Sequence, residues 1–169
     1  MDRHAELQRL RQGPTEKEAR DRRPSLGVLR VEAAHDIRIV LERAADVMKT
    51  IVESSVAGWD PGAVLIALPP WLRHRFAPDP SDQELEVWLS WWRRHTHDER
   101  AAAEKERGWT ADDWLFWMDP KERPWSWWDV QSLTLNSGEI RVEVEGWPAP
   151  TGSLAFLLDS AGALSVETL

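Results

Sequence analysis

The chain has 169 residues, of which 42% are hydrophobic and 30% are charged, a composition typical of one globular domain rather than a disordered segment. It contains no cysteine, which excludes disulfide scaffolds, thiolate zinc sites and thiol nucleophiles. The formal net charge of −8 argues against nucleic acid as a partner, because the long-range field of the protein repels phosphates.

Charge distribution and residue usage give the first expectations about compartment and partner. Residues 1–24 carry seven basic and five acidic groups, whereas residues 109–169 carry three basic and ten acidic groups. The acidic part suits a solvated surface, and the alternative is attraction to a basic protein partner. Without an apolar run of ~18 residues or a signal-like N-terminus, we expect a cytoplasmic protein with no membrane partner. Frequent Ala, Arg and Trp with only four Lys is typical of a GC-rich bacterial gene.

The N-terminal 24 residues form a charged segment that is interrupted by Gly13-Pro14 and Pro24. Thr15 and Glu18 have the spacing of a capping box, so one or two short helices are predicted. The segment has little apolar surface to bury, and partial mobility is therefore expected. Residues 25–169 are predicted to form a single α+β domain.

Four helices are predicted in the first two thirds of the chain, because capping residues precede runs with helical periodicity. In the longest one, apolar residues from Ile37 to Val52 recur at three- and four-residue steps, and Gly58 ends it. Asp60 followed by Pro61 is an N-cap with proline in the first turn. In the third helix, the polar half after Arg93 is expected to be exposed or interrupted. The predicted helices cover about 29–57, 60–68, 81–107 and 110–118.

The last third of the chain is predicted to have β-β-α-β order. The stretch "WDVQSLTL", the turn residues 136–138 and the stretch "EIRVEVEG" indicate an antiparallel hairpin. Its first strand places Val130 and Leu133 on opposite faces unless a bulge intervenes. A short helix around 154–161 and the closing strand "ALSVETL" follow. The predicted fold class is α+β, with an N-terminal helical layer packed on a small antiparallel sheet.

Twelve tryptophans and no tyrosine make indole the main aromatic group of the chain. In the helix that begins at Ser81, Trp88 and Trp92 share one stripe with Leu85 and Leu89. Indoles on an aliphatic stripe are usually part of a core, so Trp88 and Trp92 are expected to be buried in the core.

Trp125, Trp127 and Trp128 are the candidate binding surface, because they stand together where helix gives way to strand. Strand alternation sends Trp125 and Trp127 to one face and Trp128 to the other. Exposed indoles there would anchor a protein partner or stack on a sugar. The alternative, which the composition favours, is that the cluster seals the junction between helices and sheet.

Asp119, Glu122 and Asp129 flank these indoles and complete the candidate ligand- or partner-binding set. A carboxylate against an indole can have a raised pKa and act in acid–base chemistry. However, the sequence contains no Ser-His-Asp arrangement, no nucleophile elbow and no phosphate-binding glycine loop, so no catalytic residue is predicted. His95 and Glu99 share a helical face, but a metal needs three or four converging ligands. No metal and no cofactor is therefore predicted.

The function most consistent with these patterns is that of a cytoplasmic bacterial protein-interaction module. The acidic C-terminal part favours an immunity- or antitoxin-type protein that masks a basic partner. A carbohydrate-binding protein or hydrolase with a tryptophan platform and neighbouring carboxylates is one alternative. A homo-oligomer whose aromatic residues meet across a two-fold axis is another.

Overall fold

The structure, a computed structural model, describes residues 2–21, 25–144, 146 and 149–169. Within these ranges nine helices and four antiparallel strands form an α+β fold with C-terminal β-β-α-β order, as predicted. The helices are α1 Arg3–Gln12, α2 Glu16–Asp21, α3 Ile37–Ala57, α4 Pro61–Ala67, α5 Pro70–Arg73, α6 Asp82–Trp92, α7 His97–Arg107, α8 Ala111–Met118 and α9 Gly152–Ala161. The strands are β1 Leu26–Ala33, β2 Trp125–Ser132, β3 Ser137–Val144 and β4 Ala163–Thr168. None of the helices described is long and apolar enough to span a membrane.

The predicted start of the long helix at residue 29 is wrong, because residues 26–33 form the strand β1. This strand pairs with both β3 and β4 in the sheet order β2-β3-β1-β4. Leu29 and Val31 point into the core, and Arg30 between them is exposed. Helix α3 begins only at Ile37, after an N-cap Asp36. A central strand is stabilised by pairing with the strands on both sides of it. The local periodicity of its own residues cannot show that pairing.

The main core lies between α3, α9 and one face of the sheet. Helix α3 contributes its stripe of apolar residues, and Ile140 and Val142 of β3 face it from the sheet. Gly138 marks the closest approach, since a Cβ there would lie 2.9 Å from the Leu41 Cδ1 atom and 2.9 Å from the Gln131 carbonyl oxygen. The glycine therefore lets α3 pack directly on the start of β3.

The bulge in β2 lies between Trp127 and Asp129, where its register with β3 shifts. Val130 and Leu133, which suggested a bulge, are both exposed. The extra residue, Trp128, is buried but lies outside the main core cluster. The bulge therefore lets four consecutive residues from Trp125 be buried at the start of the strand.

The predicted helix over 81–107 is interrupted after Arg93, one of the two outcomes expected there: it is two helices separated by residues 93–96. Thr96 and Glu99 form a capping box, in which the Thr96 hydroxyl and the Glu99 carboxylate each bind the other residue's backbone N–H. This pattern provides a new helix start inside the predicted element. The predicted helices at 60–68 and 110–118 correspond to α4 and α8.

Candidate functional site

Trp125, Trp127 and Trp128 are all buried, with 0%, 1% and 4% of their surface exposed. The first two belong to the main core. Trp128 lies under α1, with the Arg9 guanidinium carbon 4.9 Å from its ring centroid. In this conformation the three indoles seal the junction between helices and sheet and offer no open face to a ligand.

The three candidate carboxylates are not alike in their surroundings. Asp119 is buried, and its Oδ1 accepts a hydrogen bond from the Lys121 backbone N–H at 2.9 Å. Asp129 binds the Nε of Arg141 at 2.6 Å, and Glu122 is exposed. Asp119 and Asp129 therefore have local structural partners, and an accessible binding surface has to be sought on other elements.

A buried network of charges docks α1 on the tryptophan cluster. Glu6 accepts hydrogen bonds from the Nη2 of Arg123 at 2.6 Å and from the Trp127 backbone N–H at 2.7 Å. Arg9 donates through Nε to the Trp127 carbonyl oxygen at 3.0 Å. Because α1 buries mainly charged side chains, its sequence shows little sign of this docking. Residues 22–24 of the N-terminal segment lie outside the described residues.

Arg123 is the most deeply buried charge of this network. Desolvation lowers the pKa of Arg123, and the nearby Glu6 carboxylate opposes that shift. Its guanidinium carbon stands 4.6 Å from the Trp125 ring centroid, and its Nε and Nη1 atoms have no hydrogen-bond partner among the described residues. The cluster predicted as a binding surface is thus a structural unit that depends on charge pairing.

Helix α6 carries a further group of tryptophans, and none of its residues is buried. Leu85, Val87 and Leu89 are 40%, 64% and 42% exposed, although they belong to the most apolar stretch of the helix. Trp88, Trp91 and Trp92, which follow on the same helix, are partly exposed. The expectation that Trp88 and Trp92 belong to the core is therefore wrong: their stripe faces α7 and solvent.

Two arginines of helix α7 contact indoles of α6 through cation–π contacts. The Arg100 guanidinium carbon lies 5.1 Å from the Trp92 ring centroid, and that of Arg107 lies 4.9 Å from the Trp88 ring centroid. The His95 ring stacks on Trp91 at 4.0 Å. Such contacts contribute ~0.5–1 kcal/mol each at exposed positions, so they orient the indoles without burying them. We call residues 81–108 the tryptophan arm.

The arm leaves and rejoins the body of the protein at one place. Ala77 and Thr110 form a bridge, and the Ala77 backbone N–H donates to the Trp109 carbonyl oxygen at 2.8 Å. At the start of α6, Ser81 and Glu84 form the predicted capping box. The arm is therefore a defined projection with a fixed base.

The outer face of α6 carries an open apolar groove of about 470 Å³, lined by Gln83, Glu84, Val87, Trp88 and Trp91. Glu84 is the one acidic residue among those that line it, and no Lys, Arg or His occurs between residues 76 and 92. The four carboxylates of this stretch belong to Asp79, Asp82, Glu84 and Glu86. Hydrogen bonds from the Ser81 side chain and backbone lower the pKa of Glu84, so it stays ionised at neutral pH. The groove is thus mainly apolar and carries one ionised carboxylate at its edge.

A second cavity, a cleft of about 570 Å³, lies at the base of the arm. Its walls come from α6, α7, α8 and the start of α9, and they include three indoles with one basic and one acidic side chain. The lining residues used below are Trp88, Arg107, Trp109, Asp113 and Trp117. Trp88 lines both the cleft and the outer groove.

The predicted absence of a metal site concerned the region around His95. Its Nδ1 lies 2.6 Å from the Trp91 carbonyl oxygen, and the Glu99 carboxylate is used in the capping box of α7. The side chain of His97 lies outside the described residues. Among the described side chains, no three that could bind a metal converge at one point.

Comparison of the chain with protein-family models, with curated proteins and with solved structures finds no match. The chemistry of the arm and the cleft therefore carries the functional inference.

One sequence signal could have located the arm. Between residues 85 and 92 the apolar side chains cover more than one helical face, which is too wide for a helix that packs on one neighbour. Pro78 and Pro80 precede this helix and a highly charged helix follows it. The sequence therefore offers no adjacent apolar element to cover the stripe.

Proposed function

We propose that the protein is a partner-binding module whose docking surface is the outer face of α6. One observation carries the proposal: an eleven-residue helix with three tryptophans has no buried residue. Large exposed apolar patches with a polar rim mark interaction sites, and tryptophan is enriched among the residues that dominate binding energy.

The partner that fits this surface is a protein with a basic, amphipathic segment. Its apolar side chains would occupy the groove over Val87 and Trp91, and a cation would face the Glu84 carboxylate at its edge. Complementary charge accelerates encounter and selects against acidic competitors. A second copy of this chain is the less favourable occupant, because two molecules of net charge −8 repel each other.

A protein that masks a basic partner is the particular role that this charge pattern favours. Immunity and antitoxin proteins are of this type, and a bacterial, cytoplasmic setting belongs to the same proposal. The acidic groups at the start of α8, Asp112 and Asp113, would extend the negative field beside the arm.

The test compares two variants that place the same new charge on different exposed positions. Val87→Lys puts a cation in the centre of the groove, and Ile66→Lys puts one on α4, where the isoleucine is 77% exposed. Wild type and both variants serve as bait in a lysate of the cells that produce the protein. Any protein lost only from Val87→Lys is then purified and titrated against all three by calorimetry.

The expected result is a purified partner with a basic segment that binds Val87→Lys at least tenfold more weakly, which corresponds to about 1.4 kcal/mol. Its affinity for Ile66→Lys should equal that for wild type and should fall as salt rises. A capture profile that Val87→Lys does not change contradicts the proposal. Concentration-dependent dimerisation of wild type that Val87→Lys abolishes would show a second copy as the occupant and would also contradict it.

A further inference from the structure

The cleft at the base of the tryptophan arm combines an exposed indole with two charged side chains that have no ion-pair partner within the described part of the chain. Trp117 is 40% exposed and lines the cleft from α8. Arg107 and Asp113 line it as well, and neither side chain makes a hydrogen bond or ion pair within the described part of the chain. Asp113 is exposed and Arg107 is partly exposed, so both charged groups are accessible to a ligand.

Asp113 and Trp117 are placed side by side by the helix that carries them. They are four residues apart on α8, so their side chains share one face. The Asp113 backbone N–H is bound by the Thr110 hydroxyl at 3.2 Å, which leaves the carboxylate free. Arg107 approaches from α7 on another wall of the cleft and is held there by the Trp88 ring.

The geometry points to a neutral pyranoside as the ligand of this cleft, with its ring stacked on Trp117. A sugar ring has an apolar C–H face that suits an indole, and each of its hydroxyls can both donate and accept. One hydroxyl would donate to the Asp113 carboxylate and another would accept from the Arg107 guanidinium. The volume of about 570 Å³ lies within the ~300–1,000 Å³ of ligand pockets.

Other ligands with a flat face fit less well. A nucleotide would bring phosphate groups into the field of a protein whose net charge is −8. Glycoside cleavage needs a pair of carboxyl groups across the scissile bond. Asp113 is the one carboxylate among the described residues that line the cleft. The inference is therefore binding of a sugar and not its hydrolysis.

The cleft shares Trp88 with the proposed partner surface, but the two sites can be tested independently. Trp117 lines the cleft and not the outer groove, whereas Trp91 lines the groove and not the cleft. Trp117→Ala and Trp91→Ala thus remove an accessible indole from one surface each. Trp91→Ala is the matched control for sugar binding, and Trp117→Ala is the matched control for partner binding.

The experiment is saturation-transfer NMR with methyl pyranosides of glucose, galactose, mannose and N-acetylglucosamine. At least one should bind wild type with a dissociation constant on the order of 1 mM, as expected for a ligand of that size. Trp117→Ala and Asp113→Asn should weaken it at least tenfold, while Trp91→Ala should leave it unchanged. The indole N–H signals in a heteronuclear spectrum check that each variant is folded.

Two outcomes overturn the inference. One is that none of the four pyranosides gives saturable transfer with wild type. The other is that a bound pyranoside binds Trp117→Ala and Asp113→Asn as tightly as it binds wild type. Neither outcome affects the partner proposal, which depends on Val87 and Trp91.

Discussion

Replacing Glu6 with alanine should destabilise the protein strongly, although the residue lies in a segment with few apolar side chains. The Glu6 carboxylate is the acceptor for the buried Arg123 and for the Trp127 backbone N–H. Glu6→Ala leaves Arg123, which is only 2% exposed, without its anion. Breaking a buried ion pair in this way costs about 3–5 kcal/mol, a large fraction of the roughly 5–15 kcal/mol that stabilises a typical domain.

The assay is urea unfolding at pH 7, followed by tryptophan fluorescence. The matched control is Glu53→Ala, because Glu53 also pairs with an arginine of α1, Arg11, at 2.7 Å, but its side chain is 49% exposed. The free energy of unfolding should fall by less than about 1 kcal/mol in this control. The double variant Glu6→Ala with Arg123→Met should regain most of the stability, because no unpaired charge is left.

The reasoning is refuted if Glu6→Ala lowers the free energy of unfolding no more than Glu53→Ala does. It is also refuted if the double variant is less stable than Glu6→Ala alone. The second comparison remains decisive if the single variant is too unstable to purify, since a double variant that folds already shows the predicted recovery.

Two further predictions concern the sheet and the start of α6. Gly138→Ala should lower the free energy of unfolding by about 1–3 kcal/mol, because its Cβ would lie 2.9 Å from Leu41 Cδ1. In the same denaturation assay Gly146→Ala, where the added Cβ would have no described residue within 4 Å, should have little effect, and equal losses would contradict the packing argument. Hydrogen bonds from Ser81 hold the pKa of Glu84 below its ordinary value of 4.5, so its stabilisation of α6 is present above pH 4.5 and is lost as pH falls through the folded-state pKa. Ser81→Ala should raise that pKa towards 4.5 in a carbon-13 NMR titration; an unchanged pKa would show that the hydroxyl does not bind the carboxylate.

Local signals in the sequence were sufficient for much of the fold. Alternation from Ile140 to Val144 correctly predicts β3 with one buried face, and the Asp60-Pro61 start correctly predicts α4. The strand β1 was missed because its identity depends on pairing with β3 and β4, which are distant in sequence. The polar residues after Arg93 indicated an exposed or interrupted helix, and the capping box at Thr96, which is also a local signal, gives the position at which the next helix begins.

The candidate site was harder to predict, because exposure depends on what covers a residue. Trp127 and Trp91 both lie in tryptophan-rich stretches, and the sequence alone does not indicate which of the two side chains is exposed. Trp127 is buried in the main core, and α1 docks on its backbone through Glu6 and Arg9 rather than through an apolar stripe. A prediction based on apolar stripes does not identify a helix that docks through charged side chains. Trp91 is left open because its helix belongs to a projecting arm with charged neighbours.

The central claim is that partners meet the tryptophans of α6 and not those of β2. The most direct measurement is fluorine NMR of protein labelled with 5-fluorotryptophan, with Trp91 and Trp127 assigned by phenylalanine substitutions. A soluble gadolinium chelate should broaden the Trp91 resonance and leave the Trp127 resonance sharp, and the purified partner should then protect Trp91 from broadening. The account would be contradicted if the chelate broadened the Trp127 resonance, the partner prevented that broadening, and neither reagent affected the Trp91 resonance.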